Sequence, residues 1–344
     1  MTNFAILTIL LFASAFAASW VGIVVFRRWS LTRDLLDVPN ERSSHSAPTP
    51  RGGGLIIVLV SLFGYLAIHL IFGAPFSKGY FIGAIMVAVV SWLDDLYSLP
   101  FWSRLIVHVA AAVVLVADLG VWQAAVLYPS FEVNLGMIFG GVLTIGWVVW
   151  LLNAYNFMDG IDGIAALQAV VAGVAWAAFG FYFNFPGNVL YAGVVACVSL
   201  GFLLHNWQPA KIFMGDVGSA FLGYTLAAMP LLFGAETEQR MAVLPTLGVL
   251  FVWFFLFDTI FTLLRRAVNR ERIWEAHRGH LYQRMVIGGM SHQAVTTLYG
   301  SAAALLAASA LLALIFGGNQ GVLSVFLLLI LTAGQMYLGS RKKR

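Results

Sequence analysis

Apolar runs of bilayer-crossing length recur about eleven times along this chain, near residues 4–26, 53–72, 79–93, 101–119, 135–152, 164–183, 188–205, 217–234, 242–264, 293–316 and 320–339. A helix needs roughly 20 such residues to cross the hydrocarbon core. A backbone that leaves water must satisfy its own N–H and C=O groups, which a helix does internally. The expectation is an all-α, polytopic integral membrane protein with about 11 transmembrane helices, built as a single transmembrane domain over residues 1–344. With 61% hydrophobic residues, 10% charged residues and a mean hydropathy of +0.89, a soluble globular domain and a disordered chain are both excluded.

Charge sets the expected orientation. Arg27 and Arg28 follow the first apolar run instead of preceding it, as in an uncleaved anchor whose N-terminus faces outward. Threading from there places the N-terminus in the periplasm and the C-terminus in the cytoplasm. Cytoplasmic loops then fall near 27–52, 94–100, 153–163, 206–216 and 265–292. All nineteen Lys and Arg lie on the cytoplasmic side except Lys78 and Arg240. Loops facing an anionic leaflet account for the net charge of +4, so no nucleic acid is required. Cys197 stands alone in an apolar run, which leaves no disulfide or thiolate metal site.

The same threading brings five carboxylates to one face: Asp94, Asp95, Asp159, Asp162 and Asp216. At the ends of lipid-length segments these groups cost free energy unless a cation or a hydrogen-bond donor satisfies them. Asp94 and Asp95 diverge by about 100° on a helix, so one can serve a metal and the other a proton. Asn153, Asn156, Asp159 and Asp162 recur every three residues, a spacing that would align four oxygen-bearing side chains on one helical stripe. Oxygen donors without a thiol suit Mg²⁺, with Mn²⁺ as the substitute. The metal candidates are Asp216, Asp94 and Asp159.

The remaining candidates lie in the other polar loops. The stretch DVPNERSSHSAPTPRGGG offers His45, Arg51 and the amides of Gly52 to Gly54 to a phosphate, although a flexible linker explains the same composition. Asn206, Phe213 and Asp216 fall within eleven positions, and a base could stack on Phe213, or the ring could simply pack at the interface. Between Arg265 and His292, the segment His277-Arg278-Gly279-His280 has no Cys partner and no third His, which argues against structural zinc. Imidazoles and guanidinium ions suit a pyrophosphate. An amphipathic interfacial helix is the plainer alternative, and if helical it would put His277 and His280 on one face.

In this order, from about Asp37 to Met285, these motifs resemble the polyprenyl-phosphate N-acetylhexosamine-1-phosphate transferase superfamily. SWLDD looks like its paired-Asp motif, NAYNFMDGIDGIA its most diagnostic segment, FMGDVGSAFLG its Mg²⁺-ligand motif and HRGHLYQRM its histidine motif. The resemblance implies that Asp94 and Asp95 act at a lipid phosphate and that Asp216 ligates Mg²⁺. Asn156, Asp159, Asp162, Asn206 and Phe213 would line the nucleotide and sugar pocket, and His277 and His280 would contact the pyrophosphate. The implied reaction moves the 1-phosphate of an N-acetylhexosamine, or its 6-deoxy form, from a UDP-sugar to undecaprenyl phosphate, releasing UMP, at the cytoplasmic face of the bacterial inner membrane. Arg278-Gly279 stands where many relatives carry adjacent histidines, and no Lys lies near Ser46. Those departures favour the O-antigen-initiating branch over the pentapeptide translocase. They leave open the sugar and whether the chain forms a homodimer. A secondary transporter is the rival from another class; it would place acids near the midplane of broken helices.

Overall fold

The computed structural model describes residues 2–39, 47–127, 131–236, 241–272, 277–317 and 320–340. His45 lies outside these described residues. The helices are α1 (Thr2–Thr32), α2 (Gly54–Phe72), α3 (Lys78–Tyr97), α4 (Phe101–Leu119), α5 (Met137–Met158), α6 (Ile164–Tyr182) and α7 (Pro186–Asn206). They continue as α8 (Asp216–Ala235), α9 (Leu244–Phe251), α10 (Trp253–Val268), α11 (Leu281–Ile287), α12 (His292–Phe316) and α13 (Gln320–Ser340). Ten of them are long and apolar enough to cross a membrane, and α9 with α10 makes an eleventh crossing if the bent pair is counted as one. The protein is a polytopic all-α membrane protein.

The ninth apolar run, expected as one straight span, is instead broken by 74° between α9 and α10. Val252 leaves the helical region there, at φ −125° and ψ 18°. Such a break orphans a carbonyl inside the bundle, and an unpaired buried carbonyl is costly. Gln168 of α6, itself only 1% exposed, donates to the Phe251 carbonyl at 2.7 Å and removes that cost.

Two short antiparallel pairings were not anticipated. Strands β1 (Leu36–Asp37) and β2 (Thr49–Pro50) close the base of the first loop. Strands β3 (Ala124–Leu127) and β4 (Phe131–Asn134) form a hairpin between α4 and α5, tied to the start of the ninth crossing by Val126 N donating to Ala242 O at 2.9 Å.

Helix α8 occupies the centre, with 94% of its apolar window buried inside the protein, against 22% for α1 and 17% for α13 at the rim. Glycines allow this packing: a Cβ added to Gly54 of α2 would lie 2.2 Å from the Gly218 Cα of α8. Without a hydrophobic drive between lipid-solvated helices, close backbone approach through small residues supplies the packing energy. Hydrogen bonds tie loops together at each end of the bundle. At one end, Arg27 Nε donates to Lys211 O, Gly53 N to Phe213 O and Gly163 N to Asn206 Oδ1, at 3.0, 3.0 and 2.9 Å. At the other, Ser77 Oγ donates to Asp118 Oδ2 at 2.6 Å and Asn188 Nδ2 to Leu232 O at 2.9 Å.

Candidate active site

The frame of the site is a helix N-terminus capped from another helix. The first amides of a helix lack internal partners, and at α8 those of Asp216 and Val217 donate to the two carboxylate oxygens of Asp95, at the end of α3, each at 3.1 Å. Gly215 makes this approach feasible. Its φ of 77° and ψ of 169° belong to a region open in practice only to glycine, and a Cβ there would sit 2.7 Å from Asp95 Oδ2. The chain therefore turns against Asp95 and delivers Asp216 as the first residue of α8. The first loop is zipped alongside, with Gly53 N and Gly54 N donating to the Phe213 and Met214 carbonyls at 3.0 and 2.8 Å, and Phe213 N to Pro50 O at 2.8 Å. The amides of Gly53 and Gly54 are thus engaged with backbone carbonyls, not presented to a phosphate. Arg51 donates to the Asp95 carbonyl.

Asp94 and Asp95 diverge as the helical spacing requires. The Asp94 carboxylate accepts from Leu99 N at 2.7 Å and pairs with Arg104 of α4, whose Nη1 also reaches Asp216 Oδ2 at 3.1 Å. One guanidinium nitrogen thus links two of the expected functional carboxylates.

The stripe expected through Asn153, Asn156, Asp159 and Asp162 is not a single helical face. Helix α5 ends at Met158, and Asp159 to Gly163 form a turn in which Gly163 has φ 78°. Two Asp-Gly pairs favour a turn over a continued helix, and a left-handed glycine is the ordinary way to leave one. Asn156 reaches Ser219 Oγ at 3.0 Å, whereas Asn153 bonds back to Val149 O at 2.7 Å and does not border the cavity. Asp162 accepts from Ala210 N at 3.1 Å. Asn206, only 3% exposed, accepts from Gly163 N and donates to Ile212 O, each at 2.9 Å, so both ends of its amide hold the scaffold.

Together these pieces enclose a cavity of ≈ 290 Å³, bordered by Asp37, Asp95, Asp159, Asp162 and Asp216 with Arg51. Asn156, Asn206, Phe213, Ser219, Gln283 and His292 complete its polar and aromatic wall. Burial first, then the carboxylates of Asp216, Asp95 and Asp162, push the Asp159 carboxyl well above its ordinary range. Such a concentration of negative charge is stabilised by a cation. Among the described residues no three His, Cys, Asp or Glu side chains form a ready-made metal cage.

Residues 78–234, which contain both acid motifs and the FMGD turn, match the family described as glycosyl transferase family 4. A decaprenyl-phosphate N-acetylglucosaminephosphotransferase of Mycobacterium leprae (strain TN) is 30% identical over 310 residues, covering 82% of this chain and 76% of that protein. This chain belongs to the polyprenyl-phosphate N-acetylhexosamine-1-phosphate transferase superfamily. Two further members are similar over most of their length. A probable undecaprenyl-phosphate N-acetylglucosaminyl 1-phosphate transferase of Bacillus subtilis (strain 168) is 29% identical over 81% of this chain and 78% of its own. An undecaprenyl-phosphate alpha-N-acetylglucosaminyl 1-phosphate transferase of Salmonella typhi is 27% identical over 86% and 80%.

In this superfamily member the histidine segment is not helical over 277–280; His280 instead precedes the first turn of α11. The two imidazoles nevertheless stack, with centroids 4.9 Å apart and planes at 28°. Burial, and after it His280, Arg266 and Arg265, lower the His277 pKa to about 4. Gly279 donates to His277 Nδ1 at 3.1 Å and accepts from Arg265 Nη2 at 2.6 Å. A Cβ at this position would be 3.0 Å from that guanidinium and 3.2 Å from that ring nitrogen. His277, Arg278 and His280 do not border the cavity. Gln283 of α11 and His292 of α12 do, with His292 Nδ1 3.3 Å from both Asp162 N and Asp162 Oδ1.

Sequence reasoning therefore missed Arg104, Ser219, Gln283 and His292, whose types are common at membrane interfaces and carry no distinctive spacing. It also missed Asp258. This one had a signal: an acid in the middle of the apolar run WFFLFDTIFTLL, where an unsatisfied carboxylate would be expensive.

Proposed function

We propose that this protein transfers an N-acetylhexosamine 1-phosphate, N-acetylglucosamine 1-phosphate being the first candidate, from its UDP derivative to undecaprenyl phosphate with release of UMP. The reaction takes place at the cytoplasmic face of the bacterial inner membrane and begins the assembly of O-antigen or another surface glycan. The observation that carries this reading is the carboxylate-bordered cavity at one end of a bundle of lipid-length helices. A polar donor entering from water and a polyprenyl acceptor held among apolar helices can meet there. The relatives act, by their names, in N-acetylglucosamine phosphate transfer to undecaprenyl or decaprenyl phosphate. The acids that border the cavity gather at the end of the bundle instead of its midplane, which fits an enzyme better than a transporter.

The donor set fits a hard divalent cation. Asp216 and Asp159 offer carboxylate oxygens, the donors that Mg²⁺ takes from protein while it keeps positions for phosphate oxygens and water. When bound, Mg²⁺ supplies charge neutralisation of the diphosphate and polarisation of its bridging bond. The chain's own residues do the rest. Asp95, with both oxygens committed to α8 amides, holds Asp216 in place. Asp94 and Arg104 stand at the same junction, beside the cavity, where an Asp of the 94/95 pair takes up the last acceptor proton or orients the phosphate, and the guanidinium shared by Asp94 and Asp216 adds positive charge. An acceptor phosphate oxygen then forms a bond to the sugar-linked phosphorus. The bond from that phosphorus to the UMP oxygen breaks, and its electron pair leaves with UMP.

The test is transfer by the purified protein in detergent, using radiolabelled UDP-N-acetylhexosamines and undecaprenyl phosphate with and without Mg²⁺. A lipid-linked sugar phosphate and stoichiometric UMP are expected only with the cation. No product from any UDP-N-acetylhexosamine, in protein shown to be folded, refutes the reading.

A further inference from the structure

We propose that Asp258 is a positioning residue for the transfer reaction, fixing the tautomer and orientation of His280 from beneath the site and tying that histidine to the last two membrane helices. The role in transfer rests on the function proposed above and on the pyrophosphate contact that the resemblance implies for His280; the geometry stands without either.

Asp258 lies in the interior of α10 with no exposed surface. A carboxylate in that setting persists only if hydrogen-bond donors replace its lost water. Four do, and His280 Nδ1 is placed to be a fifth. Its Oδ1 accepts from Leu281 N at 2.8 Å and from Thr262 Oγ1 at 3.2 Å, and His280 Nδ1 lies 3.2 Å from it. Its Oδ2 accepts from Tyr282 N at 3.1 Å and Tyr299 Oη at 2.7 Å. The Tyr299 oxygen in turn accepts from Gln335 Nε2 at 2.8 Å, so the donor chain runs in one direction from α13 through α12 to α10.

A carboxylate that is wholly supplied with donors can only accept. The His280 nitrogen facing it must therefore be a protonated one, which fixes Nδ1 as the donor and turns Nε2 to the opposite side of the ring. The ring, 3% exposed, is further confined between His277 and Phe157, with centroid separations of 4.9 and 6.4 Å. On the next turn Tyr282 Oη donates to Phe157 O at 3.0 Å, and Gln283 enters the cavity wall. Gly160 has no room for a Cβ, which would lie 2.1 Å from Tyr282 Oη. Asp258 thus sets both the imidazole and the docking of α11 against the acidic turn between α5 and α6. Asp258, the groups that bond to it and Gln335 lie beyond the 78–234 stretch matched to the family, and they give α12 and α13 a part in the site.

A carboxylate that merely caps α11 would have the same amide bonds, so the test must read His280 itself. In full-length protein in nanodiscs, Asp258→Asn, His280→Ala and the double variant are compared. Groups acting through one another are non-additive, and loss of a partner that orients a functional imidazole typically costs about 10- to 100-fold. The expected result is a fall of that order in kcat for Asp258→Asn with the KM for the UDP-sugar little changed, and no further fall when it is added to His280→Ala. Losses that multiply in the double variant overturn the proposal. If Asp258→Asn does not fold, Tyr299→Phe, which removes one of the five bonds, enters the same cycle with the same two outcomes. Independently, ¹⁵N shifts of His280 in the wild type should show a protonated Nδ1, and a wild-type ring bare at Nδ1 refutes the pairing. A wild type that transfers no sugar phosphate would remove the proposed function, while the ¹⁵N measurement would still decide on Asp258 and His280.

Discussion

Replacing Gly215 by Ala tests whether the cap between α3 and α8 sets the position of Asp216. The backbone at φ 77° and ψ 169° would be strained by about 1–3 kcal/mol for any residue with a Cβ. The added carbon would also sit 2.7 Å from Asp95 Oδ2 and 3.2 Å from Asp95 Oδ1, closer than ordinary contact. The carboxylate must withdraw by about 0.7 Å, lengthening two amide bonds that are now 3.1 Å. A hydrogen bond to a charged group contributes about 1.5–3 kcal/mol, so weakening both adds a loss comparable to the backbone strain. A shift of about 1 Å in a positioned group can cost ~100-fold in rate. Gly73→Ala is the matched control, since it has φ 68° but no atom within 4 Å of the added carbon. Thermal unfolding in detergent and initial rates of transfer would be measured for both. Gly215→Ala should lose several degrees of Tm and at least tenfold in kcat, whereas Gly73→Ala should lose a little Tm and no activity. If Gly215→Ala loses no more than Gly73→Ala in both measurements, the cap does not position Asp216.

Asp216→Asn should abolish turnover while the protein still elutes as a folded species on size exclusion; substantial activity at ordinary Mg²⁺ would remove it from the expected metal ligands. Asp95→Asn, which presents an amide NH₂ where an α8 amide now donates, should lower both Tm and turnover, whereas Asp94→Asn should spare Tm more than turnover. Equal Tm losses would contradict that division. Reporter fusions after Arg51, Asn206 and Arg272 should read cytoplasmic, and one within 235–240 periplasmic; a reversed signal at any of the first three would split the acidic loops between two compartments. His277 resists protonation in the folded state, with a pKa of about 4 against an ordinary 6.5. The unfolded chain therefore binds the extra proton across that window, and stability falls as pH drops from 6.5 towards 4. His277→Gln should flatten that part of a Tm-versus-pH curve, and an unchanged slope would show that the ring is not held neutral.

The crossings were legible because bilayer thickness fixes their length and lipid fixes their composition, and the helix ends fell close to the apolar boundaries. What periodicity could not supply was conformation where local chemistry competes with the helix. Asp159 and Asp162 share a helical spacing in sequence, yet α5 ends at Met158 and both lie in the turn that Gly163 closes at the start of α6. Val252 reads as one more apolar residue, and its break depends on Gln168, eighty-four positions earlier, taking up the orphaned carbonyl. Asn206 was correctly placed beside the site, but its amide proves to be spent on Gly163 and Ile212. The acids at the ends of spans announced themselves. Asp258 was overlooked for a physical reason, because its donors come from α11 and α12 and from its own helix, and no nearby cation marks it in sequence.

Seating Asp216 on the most enclosed helix has a consequence for how the protein responds to its lipid. Hydrophobic mismatch acts on the helices that touch acyl chains, by changing their tilt. The least buried are α13, α1 and α4, with 17%, 22% and 22% of their apolar windows inside the protein, while α8 is surrounded by protein along almost its whole apolar length. Thickening or thinning the bilayer should therefore alter how readily a long-chain acceptor reaches the bundle, while the KM for the nucleotide sugar stays constant. The protein is built like a bearing, with an outer ring that follows the membrane and an inner shaft that does not.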